Sequence, residues 1–248
     1  MSRRDPQLEV LPDPASLAER AVEQFRDDAA AAIGKRGRFT VALSGGSTPR
    51  ALYALLASQP FSHEIDWART HVFWSDERCV PPDHPDSNYR MAADTLLNHV
   101  PVPVDQIHRM RGELAAPQQA ARDYADELRT VFGRVAPPCF DLLLLGLGED
   151  GHTASLFPGV AVPEDDVTLT AAVYVPTLNM WRLTLTLTVL NAAARVLFLV
   201  EGASKADALK VLIAGPRSLH LPAQRVRPVN GSLVVLADQA AASALSKS

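Results

Sequence analysis

The run "LLLLGLGEDGHTASLFPG", Leu142 to Gly159, carries an apolar stretch straight into a glycine turn ending on Asp150, Gly151 and His152. A histidine with its ordinary pKa of about 6.5 can take and return a proton near neutral pH. Asp150, two residues earlier, could orient the imidazole ring or fix its tautomer. The plainer alternative is a histidine that only hydrogen-bonds the backbone of its own turn. The same stretch matches Gly-x-Gly-x-x-Gly through Gly146, Gly148 and Gly151. A dinucleotide fingerprint, however, should open a helix and be followed by an acidic residue closing the next strand. Here Pro158 and Gly159 cut the helix short, and Asp165 and Asp166 precede the next strand instead of closing it. The glycines are therefore read as a backbone able to turn sharply beside His152, with both readings of that histidine still open.

Two further loops could hold an anion. "SGGSTPR" follows a short apolar strand and leads into a helix expected from Pro49. The amides of Gly45, Gly46, Ser47 and Thr48 and the helix amino end could surround a phosphate there, with two hydroxyls added. It lacks the Gly-Lys-Ser/Thr ending of a nucleotide P-loop, and its simpler reading is a turn in which Thr48 caps the helix. "SDERCVPPDHPDSNYR" places Asp76, Glu77 and Arg78 where a strand end opens to solvent. An ion-paired surface loop would look the same, but the Arg78 guanidinium can grip phosphate or carboxylate oxygens at two points. Arg182 begins a Leu/Thr strand, and Lys205 opens a helix against the local dipole preference, a conflict that a bound anion would relieve.

These loops need strand ends to hold them together, and the chain supplies them. Strand-like and helix-like stretches alternate along most of its 248 residues. That pattern predicts an α/β fold, a mainly parallel Rossmann-like sheet with helices on both faces. An opening helix is expected from Asp13 and Pro14 to about Gly34, and besides the one from Pro49 further helices are expected from about Ser87 and over 117–132. "FDLLLLGLG" reads as a central strand covered on both sides. The tail "GSLVVLADQAAASAL" reads as a strand and a closing helix. With no low-complexity linker, repeat or composition break, one domain is expected over residues 1–248, and 47% hydrophobic residues suffice for its core.

Composition narrows the classes of function. The net charge is −4, with 24 basic residues scattered among 28 acidic ones, which gives no basic face for nucleic acid. No apolar run approaches the roughly 20 residues that span a bilayer, and "MSRRDPQLEV" lacks the apolar centre of a secretion signal. A cytoplasmic protein is expected, with Cys79 and Cys139 as reduced thiols. No metal-ligand spacing is present, and no cofactor is expected.

"SGGSTPRALY", "FWSDERCVPPDHPDSNYR", "LLLLGLGEDGHTASLFPG", "WRLTLTLTVLNAA", "FLVEGASKADAL" and "LPAQRVRPVNGSLVVLAD" together resemble the blocks of the 6-phosphogluconolactonase family, in its order and over nearly the whole chain. The resemblance implies one α/β domain of the wider sugar-phosphate isomerase and deaminase architecture. It also implies hydrolysis of 6-phospho-D-glucono-1,5-lactone to 6-phosphogluconate in the oxidative pentose phosphate pathway. By the same resemblance His152 is the general base and Asp150 its support. Phosphate and sugar contacts fall on Gly45, Gly46, Ser47, Thr48, Arg78, Lys205 and Arg182. The chain has "TLNMW" before Arg182, where many members have a proline-rich approach. The partner implied is a small sugar-phosphate lactone; nothing selects between a monomer and a dimer.

Two other readings compete. An amino-sugar phosphate deaminase/isomerase shares the architecture and a similar Gly-x-Asp-Gly-His loop, but follows it with an acidic residue where this chain has Ser155, Leu156, Phe157 and Pro158. A non-catalytic sugar-phosphate-binding module would keep the anion loops without needing His152.

Overall fold

The computed structural model describes residues 5–216 and 221–245. Nine strands form among them: β1 (Gln7–Leu11), β2 (Phe39–Leu43), β3 (Thr70–Trp74), β4 (Asp76–Arg78), β5 (Leu142–Gly146), β6 (Thr170–Val175), β7 (Met180–Leu185), β8 (Arg195–Val200) and β9 (Ser232–Asp238). Six of them make one sheet in the order β1-β9-β8-β5-β2-β3. Every neighbouring pair in it is parallel. All of β2 and the leucines of β5 are buried, which an alternating strand achieves only when both faces are covered. The helices Pro14–Arg36, Ser47–Ala57, Pro117–Phe132 and Ala206–Ala214 provide the cover. The result is a single α/β domain around one main core.

The strand order places the site. From β2 the chain moves outward to β3, whereas from β5, on the other side of β2, it ultimately moves towards β8 and β9. The loops leaving β2 and β5 therefore diverge, and the crevice between them is the usual ligand position in an open α/β sheet.

Several elements differ from what the sequence leads one to expect. The first helix does not stop at Gly34 but runs to Arg36. A mid-helix glycine costs only about 1 kcal/mol against alanine, whereas Gly37 adopts φ 75° and returns its N–H to the Ile33 carbonyl, a left-handed helix stop. β1 was hidden because "QLEVL" is a half-exposed edge strand with a weak apolar pattern. The closing helix is only a short 3₁₀ turn, Ala241–Ala244, and the three residues from 246 lie outside the described range.

The larger addition is a second sheet, antiparallel, in the order β4-β7-β6. The Leu/Thr strand at Arg182 belongs to it and not to the parallel sheet. Ser75 joins the two: its N–H bonds the Leu43 carbonyl at the end of β2, and its carbonyl accepts from Leu185 of β7.

Candidate active site

A cavity of about 570 Å³ lies over the carboxyl ends of β2 and β5. Gly45, Gly46, Ser47, Thr48, Arg78, Asp150, His152, Arg182 and Lys205 all line it, so residues far apart in the chain meet around one space.

The first loop enters its helix without a side-chain cap. Gly46, at φ 114°, is the N-cap, and the helix begins at Ser47, so Thr48 lies inside the first turn and does not cap it. The amides of that turn lack a capping side chain and carry the positive end of the helix dipole. Gly45 is needed for a different reason. A Cβ there would stand 1.9 Å from the Asn88 Oδ1.

The second loop is not the solvent-facing charge cluster its sequence suggests. Asp76 and Glu77 are both buried. Glu77 accepts hydrogen bonds from the backbone N–H groups of Arg78 at 2.7 Å, Asn88 at 2.7 Å and Tyr89 at 2.8 Å. Burial pushes its pKa up, and these three bonds offset that only in part. Glu77 thus closes the proline-rich loop onto the helix Asn88–Ala92, which leaves Arg78 to face the cavity.

Arg78 sits directly opposite Arg182 in the β4–β7 pairing. Like charges at opposed positions of a sheet repel. The Arg78 Nη1 donates to the Asp86 carbonyl at 2.5 Å, but the buried Nε atoms of Arg78 and Arg182 have no hydrogen-bond partner. Burial, reinforced by the Arg78 charge, holds the Arg182 guanidinium below its ordinary pKa. Two guanidiniums held side by side with unpartnered donors have the chemistry to receive an anion. The "TLNMW" approach folds as a 3₁₀ turn, Pro176–Leu178, with Asn179 left-handed at φ 48°, and brings Arg182 to the cavity wall.

In the third loop the glycines make room. Gly151 takes φ 79°, and a Cβ on Gly148 would stand 2.0 Å from the His152 Nδ1. No helix follows; Thr153 and Leu156 instead form a single antiparallel bridge, and Ala154 is left-handed at φ 47°. The His152 Nδ1 lies 2.6 Å from the Asp150 Oδ1, and the His152 backbone N–H donates to the same oxygen at 3.1 Å. Burial raises the Asp150 pKa, but the two bonds from His152 and the imidazole's charge outweigh it, so the net shift is downward. An ionised Asp150 can only accept, so the Nδ1 carries a proton, and in the neutral tautomer this leaves the lone pair on Nε2. Phe157 stacks on the imidazole with ring centroids 4.2 Å apart. Lys205 stands across the mouth, its Nζ 3.6 Å from the Glu149 Oε1.

Sequence reasoning missed Asn88 and Phe157. Neither has a diagnostic residue type; the one available signal was Ser87, a good helix cap that fixes Asn88 at the first helical position.

A model of the family described as glucosamine-6-phosphate isomerases/6-phosphogluconolactonase matches residues 12–235. The chain belongs to this family. Among relatives within it, a 6-phosphogluconolactonase of Synechocystis sp. is 44% identical over 242 residues, covering 95% of this chain and 97% of the other. The solved 6-phosphogluconolactonase from Trypanosoma cruzi superposes with a TM-score of 0.87 at 28% identity, over the whole of both chains. A monomeric glucosamine-6-phosphate deaminase has the same fold, with a TM-score of 0.80 at 22% identity over 96% of this chain and 99% of that one. The family's fold thus serves more than one chemistry, and residues within the cavity must discriminate between them.

Proposed function

We propose that this protein hydrolyses 6-phospho-D-glucono-1,5-lactone to 6-phospho-D-gluconate, the lactone-opening step of the oxidative pentose phosphate pathway. The observation that carries the reading is the Asp150–His152 pair, bonded through Nδ1 and lining a cavity that also holds the arginine pair and an uncapped helix end. Relatives named for this activity match nearly the whole chain.

Water attacks the lactone carbonyl while the His152 Nε2 takes one of its protons, and the carbonyl becomes a tetrahedral oxyanion. Asp150 stabilises the imidazolium that forms. The oxyanion then collapses, the bond from the carbonyl carbon to the ring oxygen breaks, and the imidazolium returns the proton to that oxygen. Arg78, Arg182, Lys205 and the amides of Gly45 to Thr48 offset the phosphate charge and the developing oxyanion. A lactone is already an activated ester, so a base, positioning and charge stabilisation suffice for the step.

The same cavity argues against the deaminase/isomerase chemistry. At the position where that branch has an acidic partner after the histidine, this chain has Ser155 to Pro158, and Ser155 is fully buried. A binding module would have no use for the ordered Asp150–His152 pair. Lactone disappearance above the spontaneous rate, with no ammonia released from glucosamine 6-phosphate, is the expected result. Ammonia release without lactonase activity would move the protein to the deaminase class, and binding without either turnover would leave a module.

Among the described residues no helix is long and apolar enough to cross a membrane. Both cysteines are free thiols. We place the reaction in the cytoplasm, where such thiols stay reduced.

A further inference from the structure

Asp76, Arg78, Arg182 and Thr184 occupy one face of the small sheet, because Asp76 pairs with Thr184 and Arg78 with Arg182 two residues along. Ser155, fully buried, meets that face from the histidine loop. Its hydroxyl donates to the Asp76 Oδ2 at 2.7 Å, and its N–H donates to the Thr184 Oγ1 at 3.3 Å. Asp76 is engaged on its other side as well. The Asn88 Nδ2 donates to the Asp76 carbonyl at 2.9 Å and approaches its Oδ1 at 3.4 Å, while the Asn88 amide lies against Gly45. Asp76 therefore links three parts of the site: the arginine strand through its backbone pairing, the first anion loop through Asn88, and the histidine loop through its carboxylate on Ser155.

The segment that Ser155 anchors is short. It lies three residues after His152 and two before Phe157, whose ring stacks on the imidazole. Nothing regular holds it: no helix follows the loop, and Ala154 is in the left-handed region. The other local ties are the Thr153–Leu156 bridge, the Thr153 hydroxyl on the Gly146 carbonyl at 2.8 Å, the Gly148 N–H on the His152 carbonyl at 2.8 Å and the Ala223 N–H on the Gly151 carbonyl at 3.0 Å, and none of these reaches the small sheet. Ser155 supplies the side-chain tie to the sheet that carries the arginines.

We propose that Ser155, clasped to Asp76, is a positioning residue that sets the His152 imidazole in register with the Arg78–Arg182 pair. Ser155 does not line the cavity and has no contact with the reacting atoms. The proposal rests on the lactonase reading for its kinetic consequence, though the clasp itself does not. A displaced base loses rate while the anion receptor keeps its affinity, and a misplacement of about 1 Å can cost up to 100-fold in rate.

The test is a double-mutant cycle of Ser155→Ala and Asp76→Ala, read by kinetics, melting and histidine NMR of the unliganded protein. Ser155→Ala is expected to lower kcat by roughly 10-fold or more, with KM within about twofold and the pH profile unshifted, because the base is the same group in the wrong place. The two losses should be strongly non-additive, since both act on one contact. In the spectrum the His152 ring signals, displaced by the Phe157 ring current, should move towards free-imidazole positions in Ser155→Ala. Wild-type kcat in Ser155→Ala, or losses that simply multiply in the double variant, would overturn the clasp. So would a Ser155→Ala protein that does not fold while Asp76→Ala folds with unchanged His152 signals, which would make the serine a packing residue only. If the wild-type protein opens no lactone, the substrate reading fails, and the NMR comparison still decides whether Ser155 holds the histidine.

Discussion

In the parallel sheet, β2 and β5 are fully or nearly fully buried and carry no charged side chain, whereas β4 of the small sheet buries Asp76 and Glu77 and sets Arg78 against Arg182. The first arrangement is stable without a ligand, because apolar burial contributes roughly 25 cal/mol per Å² wherever the chain packs. The second is not self-sufficient. Its guanidiniums repel each other and keep buried Nε atoms without partners, and Glu77 and Asp76 must hold the loops around them. The contrast suggests a division of labour. The large sheet aims backbone amides and a histidine at the cavity, and the small one adds charge whose cost is offset when an anion arrives.

The largest expected effect breaks the contribution of the large sheet. His152→Ala should lower kcat by about 100-fold or more, because it removes the imidazole proposed to accept the water proton. Near-wild-type turnover would remove His152 as the base. Removing the contribution of the small sheet should give a different signature. Arg78→Ala or Arg182→Ala should raise KM by roughly 10-fold, as expected for loss of a charge-assisted contact worth about 1.5 kcal/mol. Loss of a like-charged neighbour should also make each single arginine variant slightly more heat-stable than the repulsion-free expectation of no change. An unchanged KM in either variant would take that arginine out of the anion site.

This contrast also explains what could be read from the sequence. The parallel sheet was legible because burial on both faces writes itself as runs such as "LLLLG", and the helix 117–132 because Pro117 marks its start. His152 and Asp150 were legible because a glycine turn after a buried strand is local in sequence. The small sheet was not. β4 is only three residues long and charged, and its pairing with β7 joins positions about a hundred residues apart, which no local pattern encodes. Glu77 looked like a solvated charge for the same reason: the backbone donors that justify its burial, at Asn88 and Tyr89, come from the far side of a proline-rich loop. Ser155 looked inert until Asp76 was beside it.

The joint between the two regions can be tested at Gly45. Gly45→Ala would drive a Cβ to within 2 Å of the Asn88 Oδ1, and Asn88 cannot swing away without releasing Asp76. Overpacking of this kind costs about 1–3 kcal/mol. Lower melting temperature together with a KM raised a few-fold is the expected outcome, measured on the purified variant. A variant with native Tm and KM would show that the first loop and the small sheet are independent.

A smaller effect tests whether the large sheet is as free of charge cost as its core suggests. Asp28, on the first helix, meets Arg195 at the start of β8, with Nε 2.9 Å from Oδ2. Burial pushes its pKa up to about 6, and Arg195 counters this only in part. The unfolded value is about 3.9, so between roughly pH 4 and 6 the folded chain holds more protons at Asp28 than the unfolded chain does. The contribution of this group to stability therefore falls as pH rises through that window, by at most about 3 kcal/mol, and stays low above it. Asp28→Asn cannot titrate. The change in melting temperature between pH 5 and pH 7 should accordingly be more negative in the wild-type protein than in the variant. Equal changes in the two proteins would mean that Arg195 fully compensates the buried carboxylate, leaving the small sheet as the place where this fold keeps charge that only a ligand can settle.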